Sequence, residues 1–311
     1  MVSPGINSRD MRRFLNLLEK KGQLKRITAP VDPDLELAAI SDRVLSVGGP
    51  ALLFENVIGS KIPVAINLLG TVERVVWSMG LKEAKELENL GEKLALLQQP
   101  RPPKGIKQTL KFANLAWDLI KARSDIDLMP PCQQKVFNKN EFTLNDIPLI
   151  RPWPKDAGKI VTFGLVITKD PETGTPNVGV YRLQQQSEMT MTVHWLSVRG
   201  GAGHLRKAAA LGKKLEIAIA IGVHPLLVMA AATPIPAQLS EWLFAGLYSG
   251  EGVRLAKCKT LNLEVPSHSE IILEGTIDPK ENTKDGPFGD HMGFYGLEET
   301  SPLIRLHCIT H

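Results

Sequence analysis

Residues 217–237 carry only two polar side chains, His224 and Thr233. A run this apolar has to leave water, either into a bilayer or into a protein core. Pro225, Pro234 and Pro236 decide between them, because a spanning helix tolerates interior proline poorly. The run therefore reads as a buried strand over residues 215–221, a turn and a short buried helix. The rest of the chain must supply a core that covers both. With 311 residues it can hold about two domains. A composition of 43% hydrophobic and 23% charged residues excludes disorder and coiled coil as the main architecture. Lys and Arg number 37 against 33 Asp and Glu, too even a balance for a nucleic-acid binder. Cys132, Cys258 and Cys308 are odd in number and far apart, which points to no disulfide framework, no zinc pattern and a cytoplasmic setting. Charges at Arg12, Arg13, Glu19, Lys20 and Lys21 exclude a secretory signal.

Helical and strand patterns alternate in the first part. Met11, Phe14, Leu15 and Leu18 recur at helical spacing before Gly22, and Leu37, Ile40 and Val44 repeat the pattern. Short apolar runs at 51–57 and 64–68 predict strands, and residues 72–79 and 81–97 predict helices. Residues 99–105, with three prolines, break the chain. The next helix, 106–122, carries Ile106, Leu110, Ala113, Trp117 and Ile120 on one face and Lys107, Lys111 and Lys121 on the other. It reads as a solvated surface helix or as a basic amphipathic element docking on an anionic membrane. Pro130-Pro131 marks a boundary, giving an α/β domain over 1–128 and a β-rich domain over 129–311. In the second domain, strands are predicted over 159–169, 177–184, 189–198, 253–263 and 270–277, and helices over 204–211 and 238–248. A barrel with peripheral helices is the economical arrangement. The final residues, 302–311, alternate like a strand and stop without a tail, so the chain is expected to be cut short.

Residues suited to chemistry concentrate in the second part. The segment Lys284–Gly296 sets Asp285, Asp290 and His291 among glycines and a proline. Two carboxylates in a sheltered loop can be driven to different protonation states, leaving one as a general acid. Equally, both can cap local turn amides. Arg182 falls in an apolar strand, where it needs an anionic partner or a structural ion pair. Asn177 lies five residues before it, so in a regular strand the two face opposite sides unless a bulge intervenes. His194 lies between Val193 and Trp195 and suits the core as well as a ligand set. With Asn177 and Glu241 it can bind a divalent ion such as Mn²⁺. Glu241 falls away from the apolar stripe of Leu239, Trp242, Leu243 and Leu247, so periodicity turns it toward solvent. The glycines of Arg199-Gly-Gly-Ala-Gly-His204 precede a helix and suit phosphate, though without the spacing of a phosphate-binding fingerprint.

Five ordered motifs resemble the UbiD family: residues 177–182 (NVGVYR), 194–201 (HWLSVRGG), 233–246 with its TPIP and LSEWLFAG parts, 263–266 (LEVP) and 286–294 (GPFGDHMGF). The opening helix and Val31-Asp-Pro33 resemble it too. These are reversible decarboxylases of aromatic and unsaturated acids that use prenylated FMN. The resemblance implies a split barrel related to flavin reductases for the second domain. It implies Asn177, His194 and Glu241 as Mn²⁺ ligands bridging to the cofactor phosphate, with K⁺ as a further ion. Val180, Tyr181, Arg182, His194, Trp195, Leu196, Arg199 and Gly200 match cofactor-contacting positions. Arg182 matches the arginine of a Glu-Arg-Glu network and Asp290 its proton donor. Asp285 stands where the other carboxylate is usually a Glu, one methylene longer.

The resemblance further implies an aromatic acid substrate, with 4-hydroxy-3-polyprenylbenzoate of ubiquinone biosynthesis the nearest match, and a flavin prenyltransferase as cofactor supplier. Family members continue into a further domain that drives self-association. A polyprenyl tail lives in membrane, which favours peripheral membrane contact through helix 106–122. Two other classes fit the same residues: a Mn²⁺-dependent hydrolase without flavin, and a flavin-binding module that does not turn over alone.

Overall fold

The computed structural model describes residues 10–98, 105–138, 141–235, 239–290 and 292–311. The proline-rich break at 99–104, Pro236, Gln238 and His291 therefore lie outside the described residues.

The apolar run resolves as its prolines require. Leu215–Ile221 is a strand, Gly222 turns the chain at φ 70°, and Pro225–Ala232 is a helix with proline in its first turn. The His224 ring accepts the Leu226 amide at 3.1 Å and caps that helix. The strand is apolar on both faces because both are covered. Ala218 and Ala220 join Leu165, Ile167, Val178 and the helices Pro225–Ala232 and Glu241–Ser249 in one core. Leu215, Ile217 and Ile219 join Met191, Val193, Leu273 and Ile304 in the other. No helix among the described residues is long and apolar enough to cross a membrane.

The first part holds a small sheet. Leu24–Ile27 pairs parallel with Ala51–Phe54, which pairs antiparallel with Val64–Ile66. The helix Met11–Lys20 buries Phe14 and Leu18 against it and ends before Gly22, whose φ of 68° favours glycine. Arg151 grips Asp34 through two bonds of 2.7 and 3.0 Å, tying this part to the larger sheet.

Among the described residues that larger sheet has nine strands, all paired antiparallel. Its main path runs Ile160–Val161, Leu183–Gln185, Thr190–Val193, Glu299–Thr310, Ile271–Asp285, Leu215–Ile221, Leu165–Lys169 and Pro176–Val180, and Val136–Asn138 adds to the Glu299–Thr310 strand. Val161 and Leu165 stand six strand positions apart, about 29 Å in a flat sheet. The three residues between them make four Cα steps, which reach at most about 14 Å. Val180 and Leu183 are likewise six positions apart and three residues apart in sequence. The sheet must therefore curl until its two ends approach, with both short crossings on one seam. Among the described residues the two edge strands are not paired with each other.

Several expected elements change under this closure. The strand expected over 159–169 is two strands from opposite ends of the sheet, and Phe163, in the crossing, is exposed. The strand expected over 177–184 breaks at Tyr181-Arg182, so Arg182 is on the seam and not inside a strand. That break removes the parity conflict between Asn177 and Arg182. The Thr190–Val193 strand ends just before His194. Asp285 closes the long Ile271–Asp285 strand and is not in a loop. The glycines at 200–203 form the first turn of the helix Gly200–Ala210 and do not precede it.

Candidate active site on the seam of the curled sheet

Asp285 is the hub of the seam. Its side chain is 1% exposed, and four groups reach its carboxylate. Arg182 Nη2 donates at 2.9 Å, Thr192 Oγ1 at 2.8 Å and Ser301 Oγ at 3.2 Å, and His194 Nδ1 lies 3.3 Å away. Burial works to raise its pKa. The bonds from His194 and Thr192 and the Arg182 charge overcome that and hold it at about 2. Asp285 is thus a fixed anion, and its length suffices to reach Arg182. Glu299, its partner across the sheet, places a second carboxylate 3.8 Å from His194 Nδ1. Nδ1 is thus the ring nitrogen turned to the two carboxylates.

Arg182 is fixed from three sides. Asp285 holds one guanidinium nitrogen, its Cζ sits 3.9 Å from the centroid of the Phe288 ring, and its backbone carbonyl accepts the His194 amide at 3.1 Å. Its Nε is buried without a partner. Such a donor, set beside a cationic guanidinium, is suited to a carboxylate or phosphate oxygen.

A second group lies along the Pro176–Val180 strand and the Gly200–Ala210 helix start. The Asn177 carboxamide bonds the Tyr181 hydroxyl and lies so close to Gly200 that a Cβ there would overlap it. Tyr181 meets Trp195 edge-on, ring centroids 6.1 Å apart. A Cβ on Gly201 would come within 2.6 Å of the Trp195 indole, and that indole's Nε1 is buried without a partner. The glycines are therefore needed for a close approach of backbone to aromatic rings at a helix start. Arg199 and Leu196 are exposed beside it.

Glu241 does not face solvent as its periodicity predicts. It is the first residue of the helix Glu241–Ser249, which is capped by Ser240 and buried on most sides by Trp242, Phe244, Ala245 and Leu247. Its half-buried carboxylate turns to the Val178 amide, next to Asn177. Burial pushes its pKa up, against the pull of its own and the Val178 amides. Among the described residues no three His, Cys, Asp or Glu side chains gather as a metal set. The expected ligands contribute only two of those types, His194 and Glu241, with Asn177 as the third.

Asp290 is placed differently from the sheltered loop expected for it. It is exposed, and its Oδ1 accepts the amides of Met292 and Phe294, each at 2.9 Å. The stem of its loop is rigid. Asp156 accepts the amides of Trp153 and Gly289 at 2.9 and 2.8 Å, and Gln184 accepts that of Gly286 at 3.1 Å.

Sequence reasoning missed Thr192, Ser301, Phe288 and Asp156. Thr192 left no signal, because Thr190-Met191-Thr192-Val193 alternates polar and apolar, yet the structure buries it fully. Thr192→Val keeps the shape and removes one of the donors to Asp285. It is expected to lower stability by about 1 kcal/mol in denaturant titration.

Comparison with known proteins follows this geometry. Residues 125–311 match the family described as the 3-octaprenyl-4-hydroxybenzoate carboxy-lyase Rift-related domain (UbiD), and residues 15–94 match its N-terminal domain. An uncharacterized protein of Synechocystis sp. (strain ATCC 27184 / PCC 6803 / Kazusa) is 66% identical over 304 residues, which are 98% of this chain and 61% of that one. An evolved dimeric form of the UbiD-class enzyme HmfF from Pelotomaculum thermopropionicum, in complex with prFMN, superposes with a TM-score of 0.83 at 31% identity, covering 98% of this chain and 65% of that one. The closed form of the vanillic acid decarboxylase of Sedimentibacter hydroxybenzoicus gives 0.83 at 30%, covering 97% and 62%. The chain thus spans a little over six tenths of the length of these relatives.

Proposed function

The chain belongs to the UbiD family, and from that premise we propose that it is a reversible, non-oxidative decarboxylase of an aromatic acid working with prenylated FMN. The observation that carries the proposal is Arg182: tied to the buried Asp285 carboxylate, stacked on Phe288, and left with a buried unpartnered Nε. The residues around it suit the cofactor. Trp195 Nε1 and Arg182 Nε are orphan donors, and Gly200 and Gly201 open a helix start to backbone approach.

Prenylated FMN supplies an electron sink at the carbon that loses CO₂. Arg182 binds the substrate carboxylate through charge-assisted bonds, and Asp285 fixes its orientation. The bond to the carboxyl carbon breaks, CO₂ leaves, and Asp290 gives a proton to the ring carbon left behind. Val180, Tyr181, His194, Trp195, Leu196, Arg199 and Gly200 would line the cofactor. Asn177, His194 and Glu241 would hold a Mn²⁺ ion, with K⁺ as a further ion. The curled sheet serves as the split-barrel cofactor domain from about residue 129 onward, after the α/β domain over 1–128. The family description favours 4-hydroxy-3-polyprenylbenzoate as first substrate to try. A flavin prenyltransferase supplies the cofactor, and the protein self-associates.

The test is co-expression of the chain with a flavin prenyltransferase, followed by absorbance and mass of the bound cofactor. CO₂ release is then measured from prenylated 4-hydroxybenzoate, vanillate and 3,4-dihydroxybenzoate. Retained prenylated FMN with CO₂ release from an aromatic acid is the expected result. Failure to retain any flavin overturns the proposal. Retention without release from any of these acids reduces the chain to a flavin-binding module.

A further inference from the structure

Arg74 carries a charge that the seam does not use. It sits in the helix Val72–Ser78 of the first part of the chain and is fully buried, with 0% of its surface exposed. Only its Nη1 is paired, donating to the Gln23 side-chain oxygen at 3.0 Å and to the Gly49 carbonyl at 2.9 Å. Both acceptors are neutral. Nε and Nη2 are buried without a partner. Among the described residues no carboxylate bonds this guanidinium, and Glu73, next to it in sequence, is exposed. Arginine stays charged in proteins, so the cost of this burial is not escaped by losing a proton.

The free pair of nitrogens is the edge that grips oxyanions. Four other arginines use Nε and Nη2 together on one carboxylate: Arg12 on Glu270, Arg26 on Glu19, Arg151 on Asp34 and Arg305 on Glu281, all at 2.7–3.2 Å. Arg182 has its Nη2 on Asp285, so among the buried guanidinium atoms described Arg74 alone leaves the whole edge open. The cover over that edge is thin on one side. A Cβ built on Gly70 would come within 2.6 Å of Arg74 Nη2 and within 2.6 Å of Leu45 Cδ1. Gly70 lacks the positive φ that demands glycine, so the close approach is what its missing side chain serves. Leu45 is 41% exposed. On this side Nη2 is therefore covered by a glycine and by the end of a half-exposed leucine, which a rotamer change can move.

We propose that Arg74 is the base of an oxyanion site in the first part of the chain. It takes a carboxylate or a phosphate on Nε and Nη2 when Leu45 swings aside. The thin cover limits the ligand to a small one. The site is separate from the seam, and its test measures binding and not turnover, so it stands or falls independently of the decarboxylase reading.

The probes are inorganic phosphate and acetate, each set against chloride at equal ionic strength. The readout is the Nε–H nuclear magnetic resonance signal of Arg74 in the ¹⁵N-labelled full chain, identified by its loss in Arg74→Lys. Should that variant not fold, displacement of the signal in Leu45→Ala identifies it. A saturable shift is expected, and the anion that produces it tells phosphate from carboxylate. Leu45→Ala removes the cover and keeps the guanidinium, so it should tighten binding about tenfold. Gly70→Ala sets a methyl group against Nη2 and should weaken binding about tenfold or more, by the loss of one charge-assisted bond. A signal that neither anion moves, in wild type and in Leu45→Ala, overturns the proposal and leaves Arg74 as a structural tie between Gln23 and Gly49. Equal binding by wild type and Gly70→Ala overturns it too. So does a rise in melting temperature with either anion at an unmoved Arg74 signal, since that places the bound ion elsewhere.

Discussion

Asp290→Asn is expected to leave the fold and the bound cofactor in place and to lower kcat by about 10²–10⁴-fold. The geometry makes this a clean substitution. One oxygen, Oδ1, accepts both the Met292 and Phe294 amides. An asparagine carbonyl can accept the same two bonds, so the loop tip keeps its shape. The stem is held separately by Asp156 and Gln184. What asparagine lacks is an acidic proton, and loss of turnover at unchanged cofactor content isolates that role. Asp290→Ala would not, since it removes the turn bonds as well. Asp290→Glu should recover part of the rate, because a carboxyl remains within one methylene of the same position. The measurement is kcat together with cofactor absorbance per chain. Wild-type turnover in Asp290→Asn would remove Asp290 from the reaction and leave it as a turn residue.

The large-scale fold was legible where apolar pattern and punctuation agreed. Leu215–Ile221 and the helix Pro225–Ala232 follow from the apolar run over residues 217–237 and its punctuation by Gly222 and Pro225. The break at Tyr181-Arg182 was not legible. No glycine or proline marks it, and it exists because the sheet's two ends must meet across three residues. The covered face of the Ile106–Lys121 helix was not legible for another reason. Leu115, Leu119 and Ala122 turn inward onto Leu243 and Leu247, while Leu110, Trp117 and Ile120 are exposed. Leu115, Leu119 and Ala122 have the same helical spacing as Leu110, Ala113, Trp117 and Ile120, so periodicity finds two faces and cannot choose the covered one. Glu241 shows the same limit, since a wheel measures angle from an apolar stripe and not distance to a neighbouring strand. Candidate site residues, by contrast, were legible as chemical types. A charged Arg182 in an apolar segment demands a partner, but that partner, Asp285, is 103 residues away and is fixed only by strand pairing.

The largest combined effect is expected at Asp285. Asp285→Asn puts an amide where four groups converge on a carboxylate. An asparagine offers one accepting oxygen, and its NH₂ would face donors from Thr192 or from Arg182, His194 and Ser301. Both arms of the site loosen together. Arg182 loses the anion that orients it, and His194 loses the group that fixes its ring. Removing one partner from a buried charge pair also leaves the other uncompensated, so stability should fall by about 1–3 kcal/mol. Turnover should fall by about 10³-fold or more, since orientation and electrostatic terms are lost at once. Cofactor content per chain should fall as well, which separates this variant from Asp290→Asn, where kcat alone changes. Asp285→Glu restores the charge on a side chain one methylene longer and should regain cofactor content before it regains full rate. The assays are denaturant titration, cofactor absorbance per chain and kcat against KM for the three variants. An Asp285→Asn protein with normal cofactor content and normal kcat would show that the buried hub is structural and that Arg182 does not depend on it for catalysis.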